Sequence, residues 1–193
     1  HTTMPIIEQV VAFAQKGDAT IILPEGQDPR VMKAAAQIAA DNIAKVVVLA
    51  TPEEKADAGA GISFNGLDVT FVDYLNTPDK EELAGAFQEH RAHKGVTIEA
   101  ARETMKNRLY FANMMLRLGK VDGLVAGSIS STGNMLRAAF QCVGTAPGIK
   151  TGSSCFVMDL ATPTASGDET ILFADCGVNP DPDADMLVDI ALA

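Results

Sequence analysis

The sequence predicts an α/β fold: a doubly wound, mostly parallel sheet, followed by the start of a second α/β domain. Three observations lead there. Short, β-branched apolar runs alternate with longer stretches of helical period. Continuous apolar runs, as in the VVVLA of KVVVLA (45–50) and in GLVAG (123–127), suit strands buried on both faces of a parallel sheet. Helix-capping signals stand between the two kinds of stretch, as at Asp28-Pro29 and in TPEE (51–54).

Each element follows from local chemistry. Ile6, Ile7, Val10, Val11 and Phe13 recur at helical spacing, and Gly17 is a stop signal, which gives a first helix. TIILP (20–24) reads as a strand, and Asp28-Pro29 opens an alanine-rich helix that runs to about Asn42. KVVVLA is the next strand, and TPEE supplies cap, N1 proline and capping-box glutamate for the helix after it. DVTFVDY (68–74) is a strand, and NTPDKEELAGAFQEHRAHKG (76–95) is a capped helix ending at Gly95. Helices are expected from Thr97 to about Lys106 and from Asn107 to Leu118, with Gly119 as a stop. GLVAG is the fourth strand, and a crossover helix begins near Gly133.

After Gly144 the composition changes. TAPGIKTGSS is a loop, CFVMDL and TILFADCGV are strands, and a helix begins only at DADMLVDIALA. The expected division is therefore a first α/β domain over 4–146 and an incomplete second one over 147–193. The last helix carries no stop signal, so a chain cut off inside a larger protein is expected. Residues 1–3, HTT, precede a methionine and read as an expression remnant rather than a signal peptide.

Composition narrows the function classes. At 193 residues, with 47% hydrophobic and 21% charged residues, the chain can bury a substantial core. No apolar run approaches the roughly 18 residues that span a bilayer, so no membrane partner is expected. A formal charge of -10 argues against nucleic acid or anionic lipid as partners, and any anionic ligand must be met locally. Three cysteines without a C-x-x-C pair suggest neither a disulfide framework nor a zinc site, and fit a cytoplasmic setting.

The candidate site is the segment from Gly127 to Arg137, which leaves a strand and enters a helix. Ser128, Ser130, Ser131 and Thr132 can donate to phosphate oxygens, the helix N-terminus offers free N–H groups, and Arg137 could make a two-pronged contact. The same hydroxyls can simply cap the helix while Arg137 points to water, and local chemistry leaves both readings open. Neither G-x-x-x-x-G-K-[ST] nor a strand-to-helix G-x-G-x-x-G is present, which lowers the nucleoside triphosphate and dinucleotide classes. His90 and His93 lack a third metal ligand, so no metal is expected; with Arg91 and Lys94 they either complement a helix C-terminus or clamp a phosphate. Glu25, Asp28 and Arg30 follow the first strand, on the same edge as the serine loop if the sheet is parallel, but Gly26 and the Asp28-Pro29 pair also read as ordinary turn and capping chemistry. Cys155 and Cys176 lie in apolar runs, where a buried thiol is expected rather than a nucleophile.

Taken together and in order, LPEGQDPRVMKAAA (23–36), HRAHKGVTIEAARE (90–103), VDGLVAGSISSTGNMLRAAFQ (121–141) and LFADCGVNPDP (172–182) resemble the phosphate acetyl/butyryl transferase family over residues 4–193. The resemblance implies reversible acetyl transfer between acetyl phosphate and coenzyme A, giving acetyl-CoA and phosphate. Coenzyme A is then a substrate, and no cofactor is tightly bound. It further implies a fold like that of the isocitrate and isopropylmalate dehydrogenases, and a homodimer in the full-length form.

Matched by motif, the resemblance associates Arg137 with the acyl-phosphate or coenzyme A side of the cleft, Arg91 with a coenzyme A phosphate, and Ser131 with the phosphoryl group. Ser128, Ser130, Thr132 and Asn134 are the accompanying substrate-binding candidates. Many members carry histidine at the position of Ser130 and aspartate at that of Asn134, so this loop is similar to the ethanolamine-utilisation branch. The family's later Ser-Arg pair and aspartate, associated with transition-state stabilisation and with taking the thiol proton, have no counterpart here. A nearly inactive isolated chain is the expectation. Phosphate butyryl transfer and a non-catalytic module that binds coenzyme A or acyl phosphate stand as alternatives.

Overall fold

A computed structural model describes residues 5–193, beginning with helix α1 (Ile6–Ala14); the HTT segment lies outside them. The chain divides into two compact units, one of Ala14–Gly144 and one in which Thr145–Ala193 joins residues preceding Ala14.

The larger unit is built on four parallel strands, β1 (Thr20–Leu23), β2 (Lys45–Leu49), β3 (Val69–Val72) and β4 (Gly123–Leu124), in the order β3-β2-β1-β4. The chain therefore steps outward from β1 to β3 and then returns to the other side of β1. That reversal opens a crevice at the carboxyl ends of β1 and β4, where ligands of open α/β sheets bind. Alternating strand residues feed two cores. Leu23, Val46 and Val48 pack with Met32, Ala35 and Ala39 of α2 (Pro29–Ala40) and Ala58 of α3 (Pro52–Ala58). Ile22, Val47 and Leu49 pack with residues of α4 (Asp79–Arg91), α5 (Ile98–Thr104), α6 (Arg108–Arg117) and α7 (Thr132–Cys142). Phe111, Ile22, Met32 and Leu83 are fully buried, each stabilising the fold by about 1.5–3 kcal/mol.

Most capping signals act as read, but the cap expected for α4 does not form: Pro78 stands at its N-cap, with no side-chain cap hydrogen bond. Asp28 caps α2 by accepting from the Arg30 N–H, and Thr51 and Glu54 form a reciprocal capping box on α3. Asn107 accepts the Leu109 N–H at the start of α6, and Gly119 takes φ 68° just beyond its end. Several elements are shorter than the sequence suggests: β3 keeps only Val69–Val72 of DVTFVDY, and α4 and β4 are cut short as well. Helix α4 gives way to a 3-10 turn at Ala92–Lys94 before Gly95. Strand β4 pairs over only two residues, because the chain beyond Val125 turns aside to wrap a carboxylate from the neighbouring loop.

In the smaller unit, β5 (Cys155–Asp159) and β6 (Thr170–Ala174) form an antiparallel hairpin, and α8 (Ala184–Leu192) is capped by Asp183. Asp189 accepts the N–H groups of Lys150 and Thr151 and so ties α8 to the loop before β5. The expectation of buried thiols in core strands is corrected here. Cys155 is exposed and Cys176 half-buried, because the hairpin presents Phe156, Val157, Leu172 and Phe173 outward instead of packing them under helices. The buried thiol is Cys142 of α7, and burial pushes it up to about 12.

Candidate functional site

The loops after β1 and β4 meet at the crevice. Gly26 binds the first loop to β2 by donating its N–H to Leu49 O at 3.2 Å, and a Cβ there would lie 2.5 Å from that oxygen, so only glycine fits. This close approach aims the side chain of Glu25, which is 1% exposed, at the serine loop. Its Oε2 accepts from Gly127 N (2.6 Å), Ser128 N (2.8 Å) and Ser128 Oγ (3.0 Å). Its Oε1 accepts from Ile129 N (3.2 Å) and Ser130 N (2.7 Å). Burial pushes the Glu25 carboxyl up, but the hydrogen bonds from Ser130, Ser128 and Gly127 outweigh it and hold the group at about 2.

Cradle and cap are thus both present, with their parts divided. The N–H row of Gly127–Ser130 is an anion nest, and the anion in it is the protein's own carboxylate. Ser131 is the cap: its Oγ accepts the Asn134 N–H at 3.3 Å. Gly127 sits at φ 114°, and a Cβ there would meet Met135 Sδ at 2.9 Å, so the start of the loop also requires glycine. Arg30 holds the loop from outside, donating from Nη2 to Ser128 O at 2.8 Å while chelating Asp28. That contact with the Arg30 side chain and N–H keeps Asp28 at about 2.

Beside the nest lies a polar cavity of about 420 Å³. Ser130, Asn134 and Arg137 form one wall, Gln27 and Tyr74 another, and residues 106–110 at the start of α6 a third. All of these follow the carboxyl ends of strands or open the helices beyond them. Three cations face it, and two are committed. Lys106 pairs with Glu103 at 2.5 Å. Arg108 pairs with Glu54 at 2.6 Å, donates to Tyr74 Oη, Pro24 O and Gln27 Oε1, and lies over the Tyr74 ring. Arg137 has no salt bridge and no hydrogen bond among the described residues, and its side chain is exposed. It is the uncommitted charge of the cavity.

Of the residues singled out by sequence, Ser130, Asn134 and Arg137 come together, while Ser128 belongs to the nest and Ser131 to the cap. Thr132 is exposed in the first turn of α7 and does not line the cavity. Arg91 is not in the cavity wall either. It ends α4, with a buried Nε that has no partner, and its charge and that of Arg117 bear on Cys142. Burial first, then Arg117 and Arg91, lower the pKa of His90. Tyr110, which lines the cavity, is in the field of both Arg137 and Arg91. Sequence reasoning passed over Arg108, Tyr74 and Gln27 because only the assembled sheet brings them together; the helix start at Asn107 was the one local signal for that wall.

Within the smaller unit, Asp175 organises its own loop. It accepts from Ser154 N (2.9 Å), Ser154 Oγ, Gly177 N (3.3 Å), Val178 N (3.0 Å) and Asn179 N. The Ser154 hydroxyl first, and then these N–H groups, hold it well below the usual carboxylate range. Among the described residues, no group of three or more His, Cys, Asp or Glu converges as a metal site, and no helix is long and apolar enough to cross a membrane.

The chain is similar to known proteins in sequence and in fold. Residues 5–193 match the family model described as Phosphate acetyl/butaryl transferase. The chain is 43% identical over 190 residues to a phosphate acetyltransferase of Acetivibrio thermocellus and 40% identical over 189 residues to one of Thermoanaerobacterium thermosaccharolyticum. It covers 57% of the length of each, while 98% of the chain itself is matched. Among solved structures it is similar to the EutD phosphotransacetylase from Staphylococcus aureus, at TM-score 0.81 and 31% identity over 96% of this chain and 55% of that one. A phosphotransacetylase from Streptococcus pyogenes superposes at TM-score 0.82 and 30% identity, over 98% of this chain and 57% of the other.

Proposed function

The chain belongs to the phosphate acetyl/butyryl transferase family, and we propose that it carries the phosphoryl-binding wall of an enzyme that moves an acetyl group between acetyl phosphate and coenzyme A. The observation that carries this reading is the uncommitted Arg137 beside Ser130 and Asn134 in a polar cavity, in a protein of net charge -10. A guanidinium without a protein carboxylate is poised for two-pronged contact with a dianion.

In the forward direction the coenzyme A thiolate attacks the carbonyl carbon of acetyl phosphate. The new C–S bond forms as the bond from carbon to the bridging oxygen breaks, and phosphate leaves with that electron pair. Arg137 stabilises the charge gathering on the departing phosphate, and Ser130 and Asn134 donate to its oxygens. Among the described residues no carboxylate or imidazole lines the cavity, so the base that takes the thiol proton is supplied from outside these walls. This supports a chain that binds phosphate yet turns over slowly by itself. The role of Arg91 towards a phosphate of coenzyme A, a dehydrogenase-like arrangement of two domains, a homodimer and a cytoplasmic setting for the full-length protein belong to the same proposal and rest on the family resemblance.

The test is acetyl-CoA formation by the full-length protein and its Arg137→Ala variant. Undiminished turnover in the variant sinks the role given to Arg137, and absence of turnover in the parent sinks the activity.

A further inference from the structure

The loop after β1 grips the loop after β4 from two sides. Glu25 takes four consecutive backbone N–H groups, those of residues 127–130, and Arg30 takes the Ser128 carbonyl. We propose that Glu25 is a positioning residue for the phosphoryl site: it fixes the serine loop so that Ser130, Asn134 and Arg137 face the cavity, and it closes the N–H row of residues 127–130 to external phosphate. The inference rests on the reading that this cavity binds the phosphoryl group.

Ser130 is the hinge of the argument, because its N–H is committed to Glu25 while the residue also lines the cavity. Any shift of the nest is passed to the first turn of α7, and so to Asn134 and Arg137. The nest is also a competitor. Successive N–H groups pointing one way attract any anion, and an empty row beside Arg137 would draw phosphate to the wrong place. A carboxylate built into the chain removes that alternative at no cost in binding entropy. N–H groups and serine hydroxyls hold the Glu25 charge, and the Arg30 guanidinium adds a coulombic attraction without a direct hydrogen bond. Glutamine cannot substitute, since its NH₂ would confront N–H groups that need an acceptor.

The test follows inorganic phosphate binding to the chain by amide chemical shifts, with the fold of each variant checked by circular dichroism. In the wild type, shifts are expected at Ser130, Asn134 and Arg137 and not at Gly127–Ile129. In Glu25→Gln, phosphate affinity at the cavity is expected to fall about tenfold, with new phosphate-dependent shifts at Gly127–Ile129, a signature that loss of stability alone does not produce. If Glu25→Gln does not fold, Arg30→Gln tests the same grip from an exposed position, with an expected loss of about threefold. Folded variants that bind phosphate within about twofold of the wild type, with Gly127–Ile129 silent, overturn the positioning role alone. A wild type with no phosphate shift near Arg137 overturns the phosphoryl-site reading and this role with it.

Discussion

The carboxylate of Glu25 lies 2.6 Å from the amide nitrogen of Gly127, a residue 102 positions further along the chain. The two loops that carry them follow adjacent parallel strands, so the contact exists only once β4 has returned beside β1. It makes one side chain answerable for the shape of the candidate site.

Acid should loosen this joint. The Glu25 carboxyl is held at about 2 when folded against an ordinary 4.5. A depressed value means that its stabilisation is complete above about pH 4.5 and is lost as pH falls towards 2, amounting to about 3 kcal/mol. Asp28 and Asp175 are depressed as well and add to the same acid loss. Urea unfolding between pH 6 and pH 3 should therefore show stability falling with acid, and less steeply in Glu25→Gln. An equal slope in both proteins would contradict the assignment.

Arg137→Ala should leave stability within about 0.5 kcal/mol, because the side chain is exposed and unbonded, while lowering kcat/KM of the full-length protein for acetyl phosphate by about 100-fold. Arg137→Lys should recover only part, since a point charge cannot make the two-pronged contact. Steady-state kinetics beside a melting curve separates the two effects.

Arg108→Met should behave in the opposite way. The half-buried guanidinium serves Glu54, Tyr74, Gln27 and the Pro24 carbonyl at once. Removing it strands these groups and should cost about 2–3 kcal/mol of folding free energy. Denaturant titration reads this directly.

The thiols should separate by reactivity. Cys142 is fully buried and raised to about 12, so alkylation of the native chain at pH 8 should spare it. Exposed Cys155 should react first, and peptide mass mapping after brief iodoacetamide treatment would show the order.

Gly26→Ala should destabilise by about 2–4 kcal/mol, because the added methyl would stand 2.5 Å from Leu49 O and 2.7 Å from Val48 Cγ1. A variant melting like the wild type would show that the loop after β1 can retreat from β2.

Much of the fold was legible because its punctuation is local. Asp28-Pro29, the Thr51–Glu54 box and Asn107 each fix a helix start through neighbours within a turn. Strand length was less legible: Val125, Ala126 and Gly127 read as strand, but the pull of Glu25 takes them out of the ladder. Within the site, the hydroxyl loop and Arg137 were visible, whereas the sorting of those hydroxyls between nest, cap and cavity was not. Ser128, Ser130 and Ser131 are chemically alike, and what distinguishes them is a carboxylate about a hundred residues away. The same distance hid the function of LPEGQDPR, whose turn chemistry is real and whose Glu25 and Arg30 nevertheless reach into another loop. Cys155 misled for a different reason, since an apolar run says that a strand forms and not what covers it.

The nest also gives the molecule an internal clock. Loop amides ordinarily trade hydrogen for deuterium within seconds, yet those of residues 127–130 end on a buried acceptor supplied by β1's loop. They can exchange only when Glu25 lets go of them, a local parting of the two loops. Four amides in an apparently open loop should thus exchange far more slowly than their loop neighbours, timing the parting of two loops from a place that looks like surface.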